Sequence, residues 1–367
     1  MLRRNLSAAL VVVACFCGMP ASAQKLPDYY PADYNKIVEA SKAEKTLLIY
    51  SNMGKAQWKP MIEGFNKLYP WLTVETIDLG SSEVMERYFA EKGTGSRTAD
   101  IMVTAAADAW LEMMDRDEIA DYKSPEASSF PDWSKPRPGL YTVATDPLVL
   151  VWNKLLIAEG KVPTTFAGLV DFVTKSGSAM KGKVTTYGAY MDSFGFTADY
   201  AFAKHHGEQA WKWWEAIGPM TRPERSSGPM IEKITAGEYS IGYFLGARIS
   251  LILRGDPARG KILGWSYIKD GTPVMMRGLA IPKGSTNVNA AKLLLDFLLS
   301  HNGQIAVANG GFVPLRSDLK QDEVPLHTYQ SVVDAIGQKN IILVDYDKNM
   351  EKDRDTFIAR WRKAHNL

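Results

Sequence analysis

The order of patterns along the chain constrains its fold more than any single motif does. Short β-rich apolar runs alternate with segments whose apolar residues recur at helical spacing, which argues an α/β fold built on mainly parallel strands. Thr46–Ser51 reads as a strand, after which Trp58, Met61, Ile62, Phe65 and Leu68 repeat along one helical face. Tyr69-Pro70 ends that helix, because a residue before proline is pushed out of the α region. Thr73–Asp78 reads as a second strand, and Gly80-Ser81-Ser82 opens a helix carrying Met85, Tyr88 and Phe89. A third strand is expected over 99–104, ahead of a helix with Trp110, Leu111 and Met114. A loop rich in Ser, Pro and Asp fills 124–139. Strands are expected again at 148–152, 240–244 and 274–281, with a strong helix over 290–299. No fixed repeat and no low-complexity tract interrupts the series.

The first residues read as an export signal. Arg3 and Arg4 supply a positive start, 6–14 is a short apolar run, and Ala21-Ser22-Ala23 places small residues where a signal peptidase reads. The apolar run is far shorter than the roughly 20 residues that span a bilayer. Cleavage is therefore expected after Ala23, giving a periplasmic protein. A second reading takes Val12-Val13-Ala14-Cys15 as a lipoprotein site that tethers the chain through Cys15. Both cysteines, Cys15 and Cys17, precede Ala23, so the remaining chain has neither disulfide nor thiolate chemistry. Its fold must rest on its core, which a chain this long can support. Without Arg3 and Arg4 the basic and acidic residues balance. No basic stripe points to nucleic acid, and no acidic tail points to disorder.

The pieces also fall in a familiar order. Ile49-Tyr50-Ser51, Phe65 through Tyr69-Pro70, Gly80-Ser81-Ser82, Glu86-Arg87 with Glu91-Lys92, and Ala99-Asp100-Ile101 follow one another in the first half. Ala236-Gly237-Glu238-Tyr239, Ile241-Gly242-Tyr243, Ala280-Ile281-Pro282-Lys283-Gly284, Phe297-Leu298-Leu299-Ser300 with Gly303-Gln304, and Gly311-Phe312-Val313-Pro314-Leu315-Arg316 follow in the second. In this order the chain resembles the type 2 periplasmic solute-binding proteins of ABC importers, in the branch with iron(III)- and phosphonate-binding receptors (extracellular solute-binding protein family 1-like). The stretch after Arg316 matches poorly. The resemblance implies two lobes with mixed, mostly parallel sheets joined by a two-strand hinge. Lobe one would take 24–145 with a return segment 274–318, lobe two 146–273, and 319–367 would pack on the lobes. It further implies a monomer that binds a small solute between its lobes and passes it to a membrane permease, with no cofactor. Closure around the solute would be a hinge motion.

In open α/β sheets ligands sit beyond the carboxyl ends of the strands, where helix starts offer unpaired N–H groups that favour anions. Four places carry suitable residues: Ser51-Asn52, Ser81-Ser82, Thr104-Ala105 and Ser226-Ser227-Gly228. The plain alternative is that these residues only cap helices, worth about 1 kcal/mol each. Arg248, just beyond the late strand, is the sharpest candidate, because its paired N–H donors suit a phosphate, phosphonate or carboxylate. Its plain alternative is a surface ion pair. Arg225, beside Ser226, is a second cation. Asp192-Ser193 stands where the resemblance places ligand contacts in lobe two. Ser193 would serve an anion, whereas Asp192 would suit an amine. Iron-binding members ligate metal through adjacent tyrosines near this late strand; this chain keeps Tyr243 but lacks the pair. A ferric tyrosinate site is therefore not expected, and an iron receptor using a synergistic anion stands as an alternative.

Support for catalysis is thin. No Gly-x-Ser-x-Gly, His-Glu-x-x-His or phosphate-loop motif occurs. Ser178-Ala179-Met180-Lys181 fits Ser-x-x-Lys but lacks its companion motifs. His205 and His206 are adjacent and point apart on a helix, so they do not share a metal. A periplasmic hydrolase is the alternative from another class.

Overall fold

The computed structural model describes residues 26–367; the leader, its cleavage after Ala23 and the Cys15 site lie outside the described residues. The chain divides into a short unit ending at Tyr30 and a main unit, Pro31–Leu367. In the short unit Tyr30 N–H donates to Pro27 O at 3.0 Å and the rings of Tyr29 and Tyr30 meet.

The main unit has ten strands among the described residues: β1 Thr46–Ser51, β2 Thr73–Asp78, β3 Ile101–Thr104, β4 Leu140–Asn153, β5 Val184–Tyr187, β6 Thr221–Glu224, β7 Ile241–Gly246, β8 Leu263–Ser266, β9 Thr272–Ala280 and β10 Ile341–Val344. Their order is β2-β1-β3-β9-β4-β7-β5-β6, with β10 beside β9 and β8 beside β4. The triplets β2-β1-β3 and β6-β5-β7 are parallel, and β9 and β4 join them through antiparallel pairs. The result is an α/β fold on a mixed sheet.

The long strand β4 links the two halves. Its start, Leu140 to Pro147, pairs with β9, and from Leu148 onward it pairs with β7 and β8. Every residue of β4 and of β9 is buried, because helices or neighbouring strands cover both faces. Sequence reading captures only the apolar stretch 148–152 of β4, because Asp146-Pro147 looks like a break there. It also passes over the short strands β5, β6, β8 and β10, each only four residues long.

Two aromatic cores hold the halves. Tyr50, Tyr88 and Trp110 lie in the core beside β1 and β3. Trp152, Phe166, Phe196, Phe202, Trp214, Tyr243 and Phe244 fill the larger core beside β4, β5 and β7. The segment after Arg316 completes both halves: β10 extends the first set of strands, and helix Asn349–Ala364 sends Phe357 and Trp361 into the larger core. One local distortion matters below. Between Val149 and Val151 of β4, two residues of β7, Tyr243 and Phe244, oppose one, and Phe244 takes a left-handed backbone at φ 61°. This bulge turns both rings into the larger core and sends Leu245 to the opposite side.

Candidate functional site

The strand ends β1, β2, β5, β6 and β7 converge on a cavity of about 410 Å³. Asn52 and Ser81 enter it from the ends of β1 and β2. Tyr187 and Gly246 enter from β5 and β7, and Arg225, Ser226 and Ser227 from the turn after β6. This is where parallel α/β sheets place ligands.

The floor comes from the two strands that join the halves. Arg277 of β9 is 4% exposed, and Asp146 of β4 is also buried. Arg277 Nη2 lies 3.9 Å from Asp146 Oδ2, and its Nη1 donates to Asn52 Oδ1. Asn52 Nδ2 in turn donates to Ser81 Oγ at 2.9 Å, so one amide fixes both the arginine and a cleft hydroxyl. The guanidinium lies 4.5 Å over the Phe312 ring. The charge of Arg248 also acts on Asp146, and its stem passes Gly311, whose φ of 92° and close neighbours disfavour a side chain. Gly246 is needed for a similar reason: a Cβ there would stand 2.9 Å from an Asp146 carboxylate oxygen.

Both guanidiniums therefore act by their charge on one carboxylate, Arg277 from 3.9 Å. The Nε atoms of both Arg277 and Arg248 are buried with no hydrogen-bond partner. Burial lowers the pKa of both guanidiniums, with Asp146 opposing. Burial likewise pushes the Asp146 carboxyl up to about 6, against the pull of Arg277 and Arg248. Buried polar groups are nearly always paired in folded proteins. Both arginines also line the cavity.

The other candidates fall into four groups. Asn52, Ser81, Arg225, Ser226, Ser227 and Arg248 line the cavity. Ser226 stands at the start of helix Ser227–Thr235, yet its side chain makes no capping bond. Ser51 and Thr104 lie beneath the floor instead. Ser51 Oγ accepts from Trp58 Nε1 at 2.8 Å, and Thr104 Oγ1 donates to Ser81 O at 2.9 Å, a support for the Ser81 turn. Ala105 is buried in the larger core. Tyr243 is buried there too, because the β7 bulge turns it inward. It shares a hydrogen bond with His365 at 3.3 Å, and burial raises its pKa well above the phenol range.

Ser82 and Ser193 open onto a neighbouring groove with Asp108. Ser193 Oγ donates to Asp108 Oδ2 at 2.9 Å, and Arg354 Nη1 donates to the same oxygen. Asp192 stays at the cavity edge, where its Oδ1 caps the helix through Phe194 N–H at 2.8 Å and its Oδ2 accepts from Ser81 N–H at 3.3 Å. Both its oxygens are engaged, which leaves little for a ligand amine.

Sequence reasoning missed Arg277, Asp146 and Tyr187. Their signal was present, since a charged residue in an otherwise apolar buried strand is rare unless it is paired or functional. Arg277 interrupts Thr272–Ala280 and Asp146 interrupts Leu140–Asn153, with opposite charges. Among the described residues, no group of three or more His, Cys, Asp or Glu is placed to hold a metal ion, and no helix is long and apolar enough to cross a membrane.

Comparison with known proteins closes the description. The family profile of the bacterial extracellular solute-binding proteins matches residues 60–330. No curated protein matches the chain. Among solved structures, the substrate-binding protein of an ABC transporter from Agrobacterium tumefaciens is 22% identical with a TM-score of 0.79, over 88% of this chain and 94% of that one. The periplasmic binding protein AfuA from Actinobacillus pleuropneumoniae, solved with fructose-6-phosphate, is 19% identical with a TM-score of 0.68, over 88% and 99%. Iron-bound HitA from Pseudomonas aeruginosa is 16% identical with a TM-score of 0.67, over 87% and 99%. The shared fold is that of type II periplasmic binding proteins.

Proposed function

This chain belongs to the bacterial extracellular solute-binding proteins, and from that premise we propose that it carries one small anionic solute to the membrane permease of an ABC importer. The observation that carries the anion is the floor of the cleft, where the guanidinium-bearing side chains of Arg277 and Arg248 line the cavity against one carboxylate, Asp146. The protein works in the periplasm, as a monomer, after loss of residues 1–23. Lobe one is 24–145 with 274–318, lobe two is 146–273, and 319–367 packs on them. The two lobes close about β4 and β9. Solute bound to Ser81 on one side and Arg248 on the other favours the closed state by its differential affinity for it.

The fructose-6-phosphate in the AfuA structure supports an anionic group in a fold of this kind. The iron in HitA gives weaker support to the ferric alternative. A ferric ion held by phenolates needs tyrosines that ionise readily. Tyr243 lies in the core, and burial raises both it and Tyr187, the tyrosine of the cleft. A hydrolase gains no support either, because neither His nor Cys lines the cavity.

Mass spectrometry of the solute that co-purifies from the native periplasm tests the reading. An oxyanion is expected, returned chemically unchanged after incubation with pure protein. A neutral or cationic solute overturns the anion reading, and a processed one overturns the receptor reading.

A further inference from the structure

We propose that Asp146 sets the charge this cleft selects, tuning the floor to a singly charged oxyanion, such as a carboxylate, sulfonate or monoprotonated phosphate ester, over a doubly charged one. This rests on the reading of the cleft as an anion site and adds a selecting residue to it.

Arg277 of β9 and Arg248 beyond β7 both act on Asp146, and the two guanidiniums also repel one another. The remaining groups facing Asp146 are the Ala247 N–H at the end of β7 and the Tyr187 phenol of β5. Burial raises that phenol, so it stays neutral. With Asp146 ionised the floor carries one net positive charge, which a singly charged oxyanion cancels. A second negative charge on the ligand has no counterpart there and meets Asp146 itself.

The rest of the cavity does not make up the difference. Besides the floor, its lining includes the cations Arg225 and Arg259 against Asp78, Asp192 and Glu232. Arg259 is already paired with Glu232 at 3.2 Å. In a water-poor cleft these charges act strongly, because screening is weak where the local dielectric is low.

The fold protects this arrangement. Asp146 is fixed on a fully buried strand, and a Cβ on residue 246 would stand 2.9 Å from its carboxylate. An acid placed merely to anchor Arg277 would leave that arginine fully bonded, whereas Arg277 Nε remains an unpartnered buried donor. Asp146 thus positions the two arginines while holding back their attraction. Its carboxyl, pushed up to about 6, also makes the setting adjustable: protonation raises the floor to two net positive charges.

Sulfate and methanesulfonate test this directly. They share a tetrahedral sulfur-oxygen head, differ in charge, and neither takes up a proton near neutral pH. Their affinities for the full chain freed of its leader are read by calorimetry and thermal shift from pH 5 to pH 8. The parent at neutral pH should bind methanesulfonate at least as tightly as sulfate. Asp146→Asn should move the sulfate-to-methanesulfonate ratio at least tenfold toward sulfate. Acidification should move the parent the same way and leave Asp146→Asn unmoved, which keeps the test alive if the variant folds poorly. Arg277→Met should lose both probes.

If both probes bind and neither the variant nor acid changes their ratio, the selecting role is wrong while the anion site stands. If neither probe binds the parent or Asp146→Asn, or if Arg277→Met binds both as the parent does, the anion site falls and this inference with it.

Discussion

Arg277 and Arg316 are two buried arginines with opposite hydrogen-bond economies. Arg316 is 7% exposed, and each of its three guanidinium nitrogens donates within the chain. Its Nε and Nη2 donate to the two Asp318 oxygens, and its Nη1 donates to Glu126 and to Leu299 O. Arg277, at 4% exposed, gives one donor to Asn52, stands 3.9 Å from Asp146, and keeps Nε unpartnered. Burial lowers both guanidiniums, but hydrogen bonds to Asp318 and Glu126 carry Arg316 back above its ordinary value, while Arg277 stays lowered. A buried cation therefore says little about function by itself. Donors left over after folding say more, because burying them unpaired costs stability that only a ligand returns.

The largest expected effect breaks the symmetry in stability. Arg316→Met strips the buried Glu126 of this cation and should cost about 3–5 kcal/mol, as breaking buried ion pairs does. Arg277→Met should change the ligand-free protein by no more than about 1 kcal/mol, because Asp146 can meet the loss by taking a proton. Urea unfolding midpoints compare the two. Equal losses would mean that Arg277 is a structural arginine and that its spare donor has no purpose.

Binding should show the reverse pattern. Arg277→Met and Arg248→Ala should each weaken the identified solute by about 2–5 kcal/mol, the usual cost of losing a buried charged partner. Ser81→Ala should cost nearer 0.5–1.5 kcal/mol. Arg316→Met, assayed where it remains folded, should bind like the parent. Calorimetry reads all four, and an Arg248→Ala protein that binds normally would displace the site from the cleft floor.

The architecture was legible where periodicity is long and was lost where it is short. The strands β1 and β2 and the helix carrying Trp58 stand where the alternation puts them, because their apolar repeats extend over six residues or more. The four-residue strands β5, β6, β8 and β10 leave no such period, although the equally short β3 was found. Of the site, sequence logic found the polar residues at strand ends and helix starts, such as Asn52, Ser81 and Ser226, because loops advertise polarity. It passed over Arg277 because that residue sits inside an apolar strand and was averaged into it, and over Asp146 because Asp146-Pro147 looks like the break before one. Tyr243 shows the converse: only the left-handed backbone at Phe244 decides which way that ring turns, and no pattern of side chains announces a bulge.

A third cluster refines the comparison. Asp108 accepts from Ser193 and from Arg354 of the C-terminal helix, in the groove beside the cleft. It joins a helix next to β3 to one next to β5. If the lobes close as proposed, Asp108→Asn should favour the open form and weaken solute binding a few-fold, about 1 kcal/mol by the usual conversion. Small-angle scattering of the solute-free protein should show a larger radius for the variant. Unchanged scattering with unchanged affinity would make the cluster ordinary packing.

The smallest effect concerns pH, where the two arginine sites should pull in opposite directions. Burial pushes Asp146 up from 3.8 to about 6, so between those values the folded protein holds a proton that the unfolded chain has released. Stability from this group is present at the low end of the window and declines as pH rises through about 6. Asp318 behaves the other way: burial raises it, but the hydrogen bond from Arg316 brings it below its ordinary value. Its contribution is present above pH 3.8 and is lost as pH falls through the lowered value. Because the Asp318 side chain is 52% exposed, Asp318→Asn should cost at most about 1 kcal/mol near neutral pH. Unfolding midpoints measured from pH 3 to pH 8 should lose their acid-side fall in Asp318→Asn and their rise toward pH 4 in Asp146→Asn. The two variants separate an arginine satisfied by its fold from one waiting for a solute: an anionic solute should extend the Asp146 slope to higher pH, because a negative charge beside that carboxyl favours its protonated form, and leave the Asp318 slope as it was.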